Sequence, residues 1–159
     1  MEKHIEGFIL DMSSEKDNEV RLYIKDKNNV ITKTKFMHYL YLVPDNPKAV
    51  SRIKKALESD NRILKVEEVE KTDHRKKINA LKIYPVDQKS HSEFRKELKE
   101  VGQTREEDIS ILYRFLVDKN IYPLRYYDFE LKDDKIVSIK ESKKQENPEF
   151  RMAAFDIED

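Results

Sequence analysis

The chain has 159 residues, no cysteine, and 32 basic side chains set against 32 acidic ones, for zero formal net charge. This length suits one ordinary domain core, and the lack of cysteine excludes disulfides, thiolate zinc sites and cysteine nucleophiles. Balanced charge removes any global pull on polyanions, so nucleic-acid contact would need a local patch. No apolar run approaches the roughly 18 residues of a membrane span, and Met1 to Gly7 lacks a signal-peptide core, so a soluble, cytoplasmic protein with no membrane partner is expected.

In chain order, Ile5 to Ser13, Val20 to Asp26 and Val30 to Phe36 favour strands, with turn chemistry at Asp26-Lys-Asn-Asn29. The three predict a meander. Met37 to Val43 is a more apolar, aromatic-rich strand, and Pro44-Asp-Asn-Pro47 supplies a cap and a proline for a helix start. In that helix Ala49, Val50, Ile53, Ala56 and Leu57 recur at helical spacing, while Arg52, Lys54, Lys55 and Glu58 face water.

Two strands follow, Arg62 to Lys71 and Ile78 to Val86, joined by a charged turn. Ser90-His-Ser-Glu93 has capping-box spacing, and Phe94, Leu98 and Val101 line one face of the helix up to Gly102. With a short final strand, Met37 to Asp108 gives strand, helix, strand, strand, helix, strand. That is the order of a ferredoxin-like split β-α-β unit, shared by RNA-recognition modules.

A third helix over Ile109 to Lys119, starting behind Asp108, would bury Leu112, Phe115 and Leu116 and end at Asn120, which tolerates a left-handed cap. Tyr126 to Leu131 and Lys135 to Ile139 flank Lys132-Asp-Asp-Lys135 and predict a hairpin. Residues 140–149 are charged, polar and linker-like, and a terminal strand follows over 150–159. The fold class is therefore α+β: a β-meander, a ferredoxin-like unit, a third helix, a hairpin and a terminal strand.

On that last strand Asp156 and Glu158 are two apart and share one edge, so both carboxylates could grip a hard divalent cation. A two-metal phosphoryl-transfer site needs more ligands than this pair, which predicts the opening segment of a larger enzyme. The four histidines, His4, His38, His74 and His91, show no metal-ligand spacing. Only Gly7 and Gly102 are present, so no Gly-rich phosphate loop can form. Arg75-Lys-Lys77, Lys54-Lys55 and Lys143-Lys144 are basic but lie among equal acid, as solvated faces do. The numerous tyrosines, Tyr39, Tyr41, Tyr113, Tyr122, Tyr126 and Tyr127, could pack in a core or stack on unpaired bases.

Ala154-Phe-Asp-Ile-Glu158 resembles the first exonuclease motif of family B DNA polymerases. Asp108-Ile-Ser-Ile-Leu-Tyr-Arg-Phe-Leu-Val-Asp-Lys-Asn-Ile-Tyr-Pro123 resembles a segment these polymerases carry upstream of it, and order and separation agree. Weaker similarity at Lys82-Ile-Tyr84, Phe36 to Tyr41 and Phe8-Ile-Leu-Asp11 extends the resemblance over almost the whole chain, towards archaeal enzymes.

That resemblance implies a polymerase N-terminal domain over residues 1–139, touching single-stranded template DNA and packing beside the exonuclease domain. Residues 140–149 would be the linker, and 150–159 the first strand of the 3′–5′ exonuclease domain. There Asp156 and Glu158 would help bind two Mg2+ or Mn2+ ions in the full-length enzyme. The remaining carboxylates, palm, fingers and thumb would lie downstream, so this chain alone should need no cofactor and be catalytically inert. Many archaeal relatives trap template uracil in a pocket of this domain, and Tyr39, Arg95, Ile109 and Arg114 match pocket or near-pocket positions. Ser14 replaces an aromatic, His38 and Gln88 replace prolines, and His91 replaces a small aliphatic residue. A polar ring at His91 obstructs a snug base site and the lost prolines remove rigid walls, so generic template contact is expected without uracil sensing. Two other readings are a free-standing ferredoxin-like RNA- or ssDNA-binding module and a structural subunit of a split or inactivated polymerase.

Overall fold

A computed structural model describes residues 2–25, 29–73 and 75–144. The first three strands, β1 (Glu2–Ser14), β2 (Glu19–Lys25) and β3 (Val30–Lys35), form the meander. In β2, buried Val20, Leu22 and Ile24 alternate with half-buried Arg21 and Tyr23, so the period-two pattern sets the register. Asp17 and Asn18 make the first turn at φ 59° and 56°, a left-handed conformation that short polar side chains tolerate.

The meander does not remain an open sheet. Near the other end of the described chain, β8 (Tyr126–Lys132) and β9 (Lys135–Glu141) pair across Asp133 and Asp134, whose φ angles are 49° and 59°. Two positive φ values in a two-residue turn match the twist of the flanking strands. β8 lies antiparallel to β1 with Ile5 opposite Phe129, and β9 meets β3 in parallel at Lys135 and Lys33. Five strands thereby close a barrel in the order β1-β2-β3-β9-β8. The β3–β9 seam is short, and Thr32 Oγ1 reinforces it by donating to the Asp134 carbonyl at 2.8 Å. Ile5, Leu22, Ile24, Phe129 and Leu131 fill the barrel. Helix α3 (Ile111–Asp118) adds Ile111 and Phe115, the latter edge-on to Phe36 with ring centroids 5.4 Å apart.

Between β3 and α3 the chain builds a second unit from β4 (Leu40–Pro44), α1 (Val50–Glu58), β5 (Ile63–Asp73), β6 (Lys76–Pro85), α2 (Gln88–Glu97) and β7 (Gly102–Arg105). Its sheet runs β5-β6-β4-β7 with every pair antiparallel. Leu40, Leu42, Leu81 and Ile83 are buried on one face against Leu57, Phe94 and Leu98 of the helical side. Gly102 permits the β4–β7 contact, since a Cβ there would sit 2.4 Å from the Val43 carbonyl oxygen. Asn18 fastens the two units together: its Nδ2 donates to the carbonyls of Pro85 at 3.2 Å and Val86 at 2.9 Å.

Several local expectations shift. β4 begins at Leu40, because Phe36 is held in the barrel core and its N–H donates to the Asn18 carbonyl, leaving 36–39 to cross irregularly between the units. Helix α2 is capped by Asp87, whose carboxylate accepts from the Ser90 N–H at 2.7 Å, so Ser90 is a buried first-turn residue and not the cap. Asp87 follows the strand end in an extended conformation and reaches the free N–H groups first. Helix α3 takes Ser110 as its cap, and Asn120 follows its end at φ 52°. In α1 Leu57 alone is buried and Ala56 faces solvent. Residues 145–159, including Asp156, Glu158 and the terminal strand, lie outside the described residues, as does His74.

Candidate nucleic-acid interface

Three of the four template-contact candidates meet where the segment before β4 faces α3. Tyr39 Oη donates to Asp118 Oδ1 at 3.0 Å, and the Arg114 guanidinium lies over the Tyr39 ring, 4.3 Å from its centroid. Arg114 is 5% exposed and pairs with the Glu106 carboxylate, while its Nη2 donates to the Glu106 carbonyl at 3.1 Å. Lys71 pairs with the same carboxylate. Burial pushes the Glu106 carboxyl up, but hydrogen bonds from Lys71 and Arg114 outweigh it and hold the group below its ordinary value. Burial and the bond to Asp118 push the Tyr39 phenol far upward, so it serves as a neutral donor.

Ile109 joins this group through its backbone: its carbonyl lies 3.0 Å from His38 Nε2. His38 in turn stacks on His91 of α2, with centroids 4.1 Å apart and planes within 10°. Both imidazoles are buried, and His38 Nδ1 and His91 Nε2 have no hydrogen-bond partner among the described residues. Arg95 stands apart, exposed on α2. Ser14 and Gln88 line an open cleft of about 360 Å³ between the first turn and the start of α2. His38 and His91 do not line it, and Glu15, Asp17 and Asp87 outnumber Lys16 and Lys89 on its walls.

Among the tyrosines, Tyr39, Tyr41 and Tyr84 cluster on the sheet face opposite α1 and α2, each 6–8% exposed. Lys82 Nζ sits 3.7 Å from the Tyr39 centroid, and Lys71 Nζ 3.7 Å from that of Tyr41. Tyr84 Oη donates to Glu67. These rings are already covered and cannot stack on bases as an open aromatic sheet does. Tyr113 and Tyr122 are exposed beside a groove of about 340 Å³ between β1 and α3, lined by Leu10, Met12, Leu112, Leu116 and Pro123 among others. No group of three or more potential metal ligands occurs among the described residues. No described helix is long and apolar enough to cross a membrane.

No family model matches the chain. In sequence it is 29% identical over 147 residues to DNA polymerase 2 of Aeropyrum pernix, covering 77% of this chain and 18% of that protein. It is 29% identical over 151 residues to a DNA polymerase of Methanocaldococcus jannaschii, covering 89% of this chain and 9% of the relative. In fold it matches the family B DNA polymerase of Pyrobaculum calidifontis with a TM-score of 0.73 at 19% identity, over 91% of this chain and 21% of that one. The chain resembles the N-terminal segment of an archaeal family B DNA polymerase. It spans less than a quarter of each of these polymerases.

The polymerase likeness gave the candidate residues but not their partners. The stacked histidines, the Asn18 clamp, Glu106 and the lysines over the tyrosine rings are long-range meetings without local spacing. The resemblance named Tyr39, Arg95, Ile109 and Arg114 together as pocket or near-pocket positions, but no contact between any two of them was signalled.

Proposed function

We propose that this chain is the N-terminal, template-facing domain of a family B DNA-directed DNA polymerase acting in DNA replication or repair in the cytoplasm. The carrying observation is the agreement between two archaeal DNA polymerase matches in sequence and a family B polymerase match in fold. Alone it catalyses neither nucleotidyl transfer nor 3′–5′ exonuclease cleavage. Asp156 and Glu158 would join ligands from the rest of the enzyme to hold Mg2+ or Mn2+, which would supply Lewis-acid activation of water and charge stabilisation at the leaving oxygen. The remaining polymerase and exonuclease domains are its partners, and the groove beside exposed Leu10, Tyr113, Val117 and Leu124 supports docking of an apolar surface there.

Single-stranded template is the nucleic-acid partner, read without regard to uracil. Neighbouring imidazoles at His38 and His91 fill each other's faces, leaving no slot for a pyrimidine between them. Fluorescence anisotropy with labelled single-stranded DNA, run beside a nuclease assay in Mn2+, tests the reading. Binding without cleavage is expected. Metal-dependent cleavage abolished by Asp156→Ala, or no affinity for any single strand at low salt, overturns it.

A further inference from the structure

The cleft at Ser14 and Gln88 is a poor place for phosphates, because acids outnumber lysines on its walls. A template strand held by this chain therefore needs cations elsewhere, and the barrel supplies them. Its order, β1-β2-β3-β9-β8 closing back on β1, is the order 1-2-3-5-4 of the five-stranded oligonucleotide-binding barrel. Helix α3 lies between the third and fourth strands, and the four-stranded unit is an insertion in that same connection. In this architecture the outer face of strands 2 and 3 holds the ligand.

On β2 that face carries Glu19, Arg21, Tyr23 and Lys25, and on β3 it carries Ile31, Lys33 and Lys35. Arg21 is directly opposite Lys33, and Lys33 is directly opposite Lys135 across the parallel seam. A row of like charges on adjacent strands is destabilising unless counter-charge is provided. Glu15 meets Arg21 at 3.2 Å, while a single carboxylate, Glu19, lies 3.0 Å from Lys33 and 3.8 Å from Lys135. Lys35 lies directly opposite the same Glu19 and adds to the pull that lowers its carboxyl, while Lys25 makes no ion pair among the described residues. Even with Asp11 opposite Tyr23, five cations face three carboxylates. Half-buried Tyr23 pairs with Ile31, which is 64% exposed, so an aromatic ring and an open apolar side chain lie within the cationic field. The β8–β9 turn, with Asp133 and Asp134, is the acidic edge of this surface, so the strands rather than that turn are its binding part.

We propose that the outer face of β2 and β3 is a binding surface for single-stranded DNA, with phosphates on Arg21, Lys33 and Lys35 and a base stacked on Tyr23. Same-face residues along a strand repeat at about 6.7 Å, close to the spacing of phosphates in an extended single strand. The proposal rests on the template-binding reading above and adds to it the surface that does the holding.

The test uses the whole 159-residue chain and a labelled oligothymidylate, with anisotropy titrations over a salt series. The triple variant Arg21→Ala/Lys33→Ala/Lys35→Ala is expected to bind at least tenfold more weakly, with the slope of log affinity against log salt reduced by about two. Tyr23→Ala is expected to weaken binding about fivefold or more with the slope unchanged. In the wild-type chain, bound DNA is expected to protect Lys33 and Lys35 from acetylation, a readout needing no variant. Wild-type binding with unaltered affinity in the triple variant, or with no lysine protection, overturns this surface and leaves the template-binding reading standing. No binding by the wild-type chain overturns both.

Discussion

His38 and His91 stack face to face, with centroids 4.1 Å apart, although one precedes β4 and the other lies in α2. Burial holds the His91 imidazole down at about 4, with repulsion from His38, Arg95 and Arg114 acting the same way. Burial also lowers His38, against the pull of the Ile109 carbonyl. Both rings are thus neutral in the fold near pH 7.

This arrangement predicts acid sensitivity of a stated sign. The unfolded histidines titrate near 6.5, so the unfolded state takes up protons first as pH falls. Stability is complete above about pH 6.5, declines as pH drops, and the His91 contribution is gone once its folded form protonates at about 4. For His91 the loss is about 3 kcal/mol. Urea unfolding between about pH 7 and pH 4.5 measures it. His91→Phe keeps a stacked ring without the titration and should flatten the decline; an equally steep decline in that variant would refute the assignment.

Arg114 is predicted to be the costliest polar residue to remove. Arg114→Ala leaves Glu106 with one cation fewer and strips the guanidinium from the Tyr39 ring. A loss of about 3 kcal/mol is expected at pH 7 by urea unfolding. Arg114→Lys should recover less than half, because one ammonium cannot meet the Glu106 carboxylate and carbonyl while lying flat on an aromatic face. A loss below about 1 kcal/mol for the alanine variant would show that solvent compensates the pair.

Asn18 joins the barrel to the inserted unit, and Asn18→Gly isolates that role, since glycine keeps φ 56° without the side chain. The variant should lose about 1–2 kcal/mol. Hydrogen exchange should quicken at the β6–α2 junction while β2 and β8 stay protected. Uniform acceleration across both units would mean that the clamp has no local role.

Much of the fold was legible where neighbours in sequence decide it. Asp133 and Asp134 favour a hairpin, Asn120 favours a left-handed helix end, and the alternation of Val20, Leu22 and Ile24 declares a strand. Barrel closure was not, since Ile5 opposite Phe129 and Lys33 opposite Lys135 join opposite ends of the described chain and leave no periodic trace. Ser90-His-Ser-Glu93 had the spacing of a cap yet lost to Asp87, where the preceding strand delivers the chain. The candidate site was legible as residues and not as contacts. Tyr39, Ile109 and Arg114 assemble, Arg95 does not join them, and Asp156 and Glu158 fall outside the described residues.

As proposed above, this chain would hold single-stranded template, and its stacked histidines would leave no uracil slot between them. Anisotropy titration of two single strands, identical except for one uracil in place of thymine, tests it most directly. Both strands are expected to bind with affinities within about twofold of each other. A tenfold preference for the uracil strand, equal to about 1.4 kcal/mol, or no binding of either strand, would contradict it.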